Sequence, residues 1–246
     1  MLLKKGSGFM PENVLFLSDI HGNFYALQAI LDEVNNHTNK VDYVICLGDL
    51  VGYGPFPNEV INLARRFNIC LLGNHDLVPI NRGGTEGFNP TAKKAIDWTC
   101  QQLTPENKHF LQTECIQQQK LTLKDNSIYI CHGSPYDLIY DYLLPTDPEE
   151  KKRRCLELAE TPFLFVGHTH IPMDYSCDLG CIINPGSVGQ PRDGNADASA
   201  LIWQIKGKND YELVWLRAKY DIVATARAIR GHNLPHLLSE RLFFGK

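Results

Sequence analysis

Apolar residues recur along this chain in two alternating rhythms. VLFLS (14–18) is an unbroken apolar run up to its final serine, the pattern of a strand buried on both faces. From Asn23 the spacing changes. Phe24, Leu27, Ile30, Leu31 and Val34 lie three or four residues apart, which predicts a helix with one apolar face. VDYVICL (41–47) predicts a second strand. Pro57 and Asn58 then open a helix that turns Val60, Ile61 and Ala64 inward, and FNICLL (67–72) predicts a third strand. This strand–helix order implies parallel strands joined by right-handed crossovers, an α/β fold.

Residues 77–120 break the rhythm. NRGGTEG (81–87) reads as a loop. Two helices are expected near 91–103 and 105–112, the second capped by Thr104 with Pro105 at its first position. Beyond 120 the chain turns β-rich. LTL (121–123), SIYIC (127–131), FLFVG (163–167), a hairpin around 172–184, ASALIWQI (198–205) and YELVWLRA (211–218) are the expected strands, with a helix near 149–159. Asp221 is expected to cap a last helix that Gly231 ends. The LLSERLFF tail (237–244) fits either packing on the body or a dimer contact, so a homo-oligomer stays open. No internal repeat or low-complexity segment is present.

Composition narrows the class. With 246 residues and 43% apolar content, the chain can build one sizeable core, and one domain spanning 1–246 is expected. The formal net charge is -4 and no basic block occurs, so a nucleic-acid partner is not expected. MLLKKGSGFMPEN lacks an apolar core and is not read as a signal peptide. No run approaches the ~20 apolar residues of a membrane span. Cys46, Cys70 and Cys131 sit inside apolar runs as small hydrophobes, and the Cys177/Cys181 spacing does not match a zinc knuckle. A reduced, cytoplasmic protein is expected.

The candidate chemistry lies just past the strands. The first strand is followed by Asp19 and His21, the second by Gly48 and Asp49, and the third by Gly73, Asn74, His75 and Asp76. SIYIC leads to His132 and Gly133, and FLFV to Gly167, His168 and His170. Each piece alone has an ordinary reading as a turn or a capped strand end. Together they place polar residues at the carboxyl ends of five strands, where open α/β sheets bind ligands. The donors are two carboxylates (Asp19, Asp49), one amide (Asn74) and four imidazoles (His21, His132, His168, His170). No thiolate takes part, which disfavours a closed structural zinc site. The imidazoles disfavour Mg²⁺ or Ca²⁺. Mixed nitrogen and oxygen suits two divalent ions, whether Mn²⁺, Fe, Zn²⁺ or Co²⁺. Seven ligands for two ions imply one bridging carboxylate and an ion pair ~3.5–4 Å apart. Counting charge, two divalent ions, two aspartates and a bridging hydroxide leave about +1, a site for an anion such as phosphate, with the hydroxide as nucleophile. His75 is spare as a ligand and is placed to protonate a leaving oxygen or stabilise charge, with Asp76 orienting it. His37, His109, His232 and His236 lie outside this pattern and read as surface residues.

These motifs, DIH, GD, GNHD, His132 and GHTH, resemble the series of the calcineurin-like metallophosphoesterases. NPGSVGQPR (184–192) is similar to the signature of the smaller YfcE-type bacterial and archaeal branch. The resemblance implies a four-layer α/β/β/α sandwich. It implies that Asp19, His21 and His170 hold one metal, that Asn74, His132 and His168 hold the other, and that Asp49 bridges them. Residues 184–189 would form a tight turn near the metals or simply a hairpin end. Arg192 is a candidate for substrate phosphate or for a surface salt bridge. The 77–120 insertion is a candidate lid or a cap on the sheet edge. Phe88 within it offers an aromatic face to a nucleobase, whereas Trp98 reads as core. The expected activity is hydrolysis of a small phosphodiester or nucleotide, such as a dinucleoside polyphosphate. The alternative is a scaffold that kept the fold and lost catalysis.

Overall fold

The computed structural model describes residues 12–38 and 40–246; most of the N-terminal stretch MLLKKGSGFMPEN lies outside them. The first half follows the predicted alternation: β1 (Asn13–Leu17), α1 (Phe24–His37), β2 (Tyr43–Cys46), α2 (Pro57–Ala64) and β3 (Ile69–Cys70). A single turn, α3 (Asn74–Leu77), runs into a 3₁₀ turn and then α4 (Pro90–Gln102) and α5 (Pro105–Thr113). The rest is β4 (Gln118–Leu123), β5 (Asn126–Cys131), α6 (Glu149–Ala159), β6 (Phe163–Phe165), β7 (Met173–Cys177), β8 (Gly180–Asn184), β9 (Ala198–Gly207), β10 (Asp210–Ala218), α7 (Ile222–Gly231) and α8 (His236–Arg241).

Among the described residues the strands form two five-stranded sheets, ordered β10-β9-β1-β2-β3 and β4-β5-β6-β8-β7. β1, β2 and β3 are parallel, as are β5, β6 and β8. The period-two geometry of β1 explains its unbroken apolar run. Val14 and Phe16 point into the core between the sheets, where Phe16 stacks on Phe165 at 3.9 Å beside Trp203. Leu15 and Leu17 point the other way, into the core beneath α1, α2, α4 and α5. A third cluster lies between the second sheet and α6, around Cys155, Leu156 and Leu164. The layers are therefore α/β/β/α.

Two expectations change. FNICLL (67–72) yields only two residues of regular strand. Leu71 continues as a single bridge to Ile116, because the irregular Cys115–Ile116 segment, not a full strand, flanks it on the outer side. Asp221 does cap a helix, accepting from the Ala224 amide, but that helix is not the last. The tail forms α8, which buries Leu238 and Leu242 against Ala92, Ala95, Ile229 and Leu234. It packs on the body and leaves Leu237, Phe243 and Phe244 exposed. The two helices of the 77–120 insertion form part of the packed layer. Ile96, Leu103, Phe110 and Leu111 are buried in the main core.

Candidate metal centre

The three parallel strands β1, β2 and β3 end side by side, and so do β5 and β6 in the facing sheet. The loops leaving them converge on one point. The turns are tight. Asp19, His21, Asp49, His168 and His170 all adopt positive φ, between 50° and 65°. That region is uncommon for residues with a side chain; Asp, Asn and His tolerate it better than most, but it still costs about 1 kcal/mol or more each. Backbone bonds between loops hold the geometry: Asp19 N donates to Gly48 O at 3.0 Å and His21 N to Asp49 O at 2.9 Å. Gly73 is needed here because a Cβ would collide with the Asp49 carboxylate.

Seven side chains meet at the centre, all of them buried. Asp19, His21 and His170 form one cluster of donor atoms, and Asp49, His132 and His168 form another. Asp49 lies between them. Its Oδ2 is 3.6 Å from His21 Nε2 and 3.5 Å from His132 Nε2. The protons can be deduced. His21 Nδ1 faces Val51 O at 3.0 Å and His170 Nδ1 faces Gln190 O at 2.6 Å. A carbonyl only accepts, so each Nδ1 carries its ring's proton and each Nε2 presents a lone pair. Yet these two Nε2 atoms lie 3.0 Å apart. Two lone pairs at that distance repel, and a cation between them removes the repulsion. Burial holds both rings well below the ordinary histidine pKa, so protonation does not relieve the contact. Two further buried acceptors, Asp19 Oδ1 and Asn74 Oδ1, have no hydrogen-bond partner. Buried acceptors normally have one. The donor set fits divalent metal.

Protein groups alone set an uneven charge pattern. Burial raises the Asp19 carboxyl to about 7. Burial pushes Asp49 the same way, but His132 and His75 outweigh it and hold Asp49 well below the usual range. Burial opposes charge on His132, yet Asp49 draws it up to about 9. Asp49 is thus the charge around which the centre is organised.

Known proteins are similar to this chain in sequence and in fold. The calcineurin-like phosphoesterase family model matches residues 12–187. The chain belongs to the calcineurin-like phosphoesterase family. It is 34% identical to an uncharacterized protein of Methanocaldococcus jannaschii, over 95% of this chain and 98% of that one. The crystal structure of a metallophosphoesterase from Sphaerobacter thermophilus is 33% identical, with a TM-score of 0.78, covering 95% of this chain and 99% of that one. A shorter stretch of 84 residues is 41% identical to a symmetrical bis(5'-nucleosyl)-tetraphosphatase from Erwinia tasmaniensis, covering 33% of this chain and 30% of that one. The protein is accordingly a phosphoric-ester hydrolase of a metal-dependent family.

Around the candidate centre, the 184–190 segment is a support rather than a bare hairpin end. Asn184 Nδ2 donates to Gly167 O at 2.8 Å and to the Thr169 hydroxyl at 3.0 Å, fixing the histidine loop. The Ser187 hydroxyl donates to Asp19 O at 2.7 Å. Asp76 differs from its expected role. Its two oxygens accept from the amides of Leu50, Val51 and Gly73 at 3.0–3.2 Å, so it ties two loops together and does not orient the His75 ring. His75 Nδ1 has no partner. The His75 ring fits against Gly52, where φ is +89° and a Cβ would collide with it. His75 also forms a donor cluster with His21 and Asp49. The remaining histidines, His37, His109, His232 and His236, lie away from the centre at the surface, as expected.

Beside the candidate ligands, and lined in part by them, lies a cavity of about 140 Å³. His75, Phe88, Tyr142, Arg192 and Arg241 line it together with Asp49 and Asn74. Phe88 packs 4.6 Å from the His75 ring, and Tyr142 4.1 Å from the His168 ring. Of the insertion, only the Gly87-Phe88-Asn89 turn and Ala92, in the first turn of α4, reach this space. Trp98 is half-buried, packed against the α7–α8 cluster. Tyr53, Tyr142 and Arg241 are pocket residues that no sequence motif marks. All eight cysteines are free, and no helix among the described residues is long and apolar enough to cross a membrane.

The orphaned acceptors lead to a prediction. Mn²⁺ at about 100 times its Kd should stabilise the fold by about 2.7 kcal/mol, or roughly 5–10 °C in Tm for a chain of this size. A chelator should reverse the shift. Thermal unfolding that ignores both Mn²⁺ and chelator would rule out a cation among these side chains.

Proposed function

We propose that the protein hydrolyses a small phosphate ester or anhydride at a two-metal centre. The observation that supports this most directly is the meeting of two donor clusters on Asp49 in a phosphoesterase fold. Asp19, His21 and His170 would hold one cation. Asn74, His132 and His168 would hold the other, with Asp49 shared. Mn²⁺ suits this nitrogen–oxygen set, with Fe, Zn²⁺, Co²⁺ or Ni²⁺ as alternatives. When bound, the pair supplies Lewis acidity toward phosphate oxygens and an activated water.

The chain's own residues do the rest. Burial brings the His75 imidazole down to about 4, so the ring is neutral at pH 7 and acts as a hydrogen-bond donor to the phosphoryl or leaving oxygen. Asp76 keeps the Asp49 and Asn74 loops in register. The Arg192 guanidinium, at the cavity wall, attracts the anion. The small cavity and the Phe88 and Tyr142 rings favour a nucleotide-type substrate over a phosphoprotein. The partial match to symmetrical bis(5'-nucleosyl)-tetraphosphatases supports that class.

The test compares kcat/KM for bis(p-nitrophenyl) phosphate, diadenosine tetraphosphate and a phosphopeptide with Mn²⁺. The small substrates are expected to lead by about tenfold or more, and Phe88→Ala to lower kcat/KM for the dinucleotide by roughly 5–50-fold, the range of one base–aromatic stack. A preference for the phosphopeptide, or a Phe88→Ala variant unchanged on every substrate, would count against this reading.

A further inference from the structure

Two cationic side chains share the cavity, and the hydrolytic reading uses only one of them. Arg192 follows the 184–190 segment, and Arg241 ends α8. Both line the same space as Asp49, Asn74 and His75. Neither has an Asp or Glu side chain at ion-pair distance among the described residues. Arg192 reaches only neutral groups: Gln190 Oε1 at 3.2 Å, the Tyr53 hydroxyl at 3.4 Å and the hydroxyl of Tyr142. Its Nε is buried without a partner. Arg241 donates from Nε to a main-chain oxygen of Lys246, the last residue, at 2.6 Å.

This arrangement costs energy as it stands. Two guanidiniums in one half-buried space repel each other, and burial together with Arg192 weakens the hold of Arg241 on its proton. Arg241 cannot simply swing away with a loose tail, because Leu238 and Leu242 anchor α8 in a buried cluster. An anion between the two guanidiniums relieves their repulsion, and guanidinium forks match phosphate oxygens.

The lining limits what that anion can be. The groups facing the cavity are mostly polar or cationic, as phosphoryl oxygens require, and the Phe88 and Tyr142 rings in its wall offer faces to a base. We infer that Arg192 and Arg241 form a subsite for a second phosphoryl group, adjacent to the one cleaved, so that phosphoanhydrides are preferred over single-phosphate esters. The inference rests on the proposed hydrolytic function for the position of the scissile phosphoryl. It makes the C-terminal helix part of the specificity apparatus.

The test has a binding arm and a kinetic arm, both on the full Mn²⁺-loaded chain in excess Mn²⁺. By calorimetry, methylenebisphosphonate is expected to bind at least ~10-fold tighter than inorganic phosphate, as charge-assisted bonds to a second phosphoryl group would give. Arg192→Gln and Arg241→Gln should each reduce that ratio severalfold, and Arg241→Lys should retain part of it. In turnover, Arg241→Gln should lower the ratio of kcat/KM for diadenosine tetraphosphate over bis(p-nitrophenyl) phosphate by roughly tenfold. Equal binding of the two ligands by wild type, or an unchanged binding ratio in both glutamine variants, overturns the subsite. If wild type binds the bisphosphonate selectively but cleaves no ester, the hydrolytic reading falls while the anion subsite stands.

Discussion

Asp49→Asn is expected to strip both metals at once and to lower turnover at least ~10³-fold. The geometry makes the substitution unusually specific. Asp49 Oδ1 already accepts the His75 amide at 2.9 Å, so an asparagine would keep its carbonyl there. Its NH₂ would then occupy the Oδ2 position, 3.6 Å from His21 Nε2 and 3.5 Å from His132 Nε2. An acceptor at the meeting of two donor clusters becomes a donor pointing at two imidazoles. Several kcal/mol of charge stabilisation disappears, and each 1.36 kcal/mol is tenfold in rate. The fold itself should survive, because the side chain keeps its shape and its bond to the His75 amide. The unfolding temperature without added metal should therefore hold, while the rise on adding Mn²⁺ disappears. Elemental analysis is the deciding measurement. Two metals retained in Asp49→Asn, with activity intact, would overturn the shared-ligand assignment.

His75→Ala is expected to retain both metals and lose turnover by roughly 10²–10³, the usual range for removing a hydrogen-bond donor to developing charge. The ring stands between the metal ligands and the rim, 4.8 Å from His21 and 4.6 Å from Phe88. Its backbone amide, not its ring, bonds Asp49, so alanine keeps that contact. Because the ring can also cluster with His21 and Asp49, metal content must be measured beside the rate. Loss of metal in the variant would make His75 a ligand instead. Unchanged kcat with full metal content would remove it from the chemistry altogether. A scaffold would have no use for a non-ligand histidine held in this position, and wild-type protein inert toward every ester with Mn²⁺ would favour that alternative.

The residues that meet at the centre were legible one strand at a time. Asp19, His21, Asp49, Asn74, His132, His168 and His170 each stand within a few residues of a predicted apolar run, and parallel strands bring such ends to one edge. Their chemistry made them candidate ligands, since a buried carboxylate–amide–imidazole set suits a divalent metal. The strand at 67–72 was overestimated because apolar composition reports burial, whereas regular pairing depends on what lies beside the strand. Asp76 was misjudged for a related reason. A carboxylate next to a histidine suggests an orienting pair, but three backbone amides from folded loops claimed its oxygens first.

The α/β class, the helix caps at Thr104 and Asp221, and the inventory of candidate metal donors were determined by the sequence alone. These depend on periodicity and on short-range order, which the chain carries locally. Only the tertiary structure decided the protons on His21 and His170, the central position of Asp49 and the walls of the pocket. Tyr53 and Tyr142 come from loops, and Arg241 comes from a tail helix that packs back against α4 and α7. Their meeting depends on burial of Leu238 and Leu242 far along the chain, and contacts of that range leave no spacing pattern in the residues that make them.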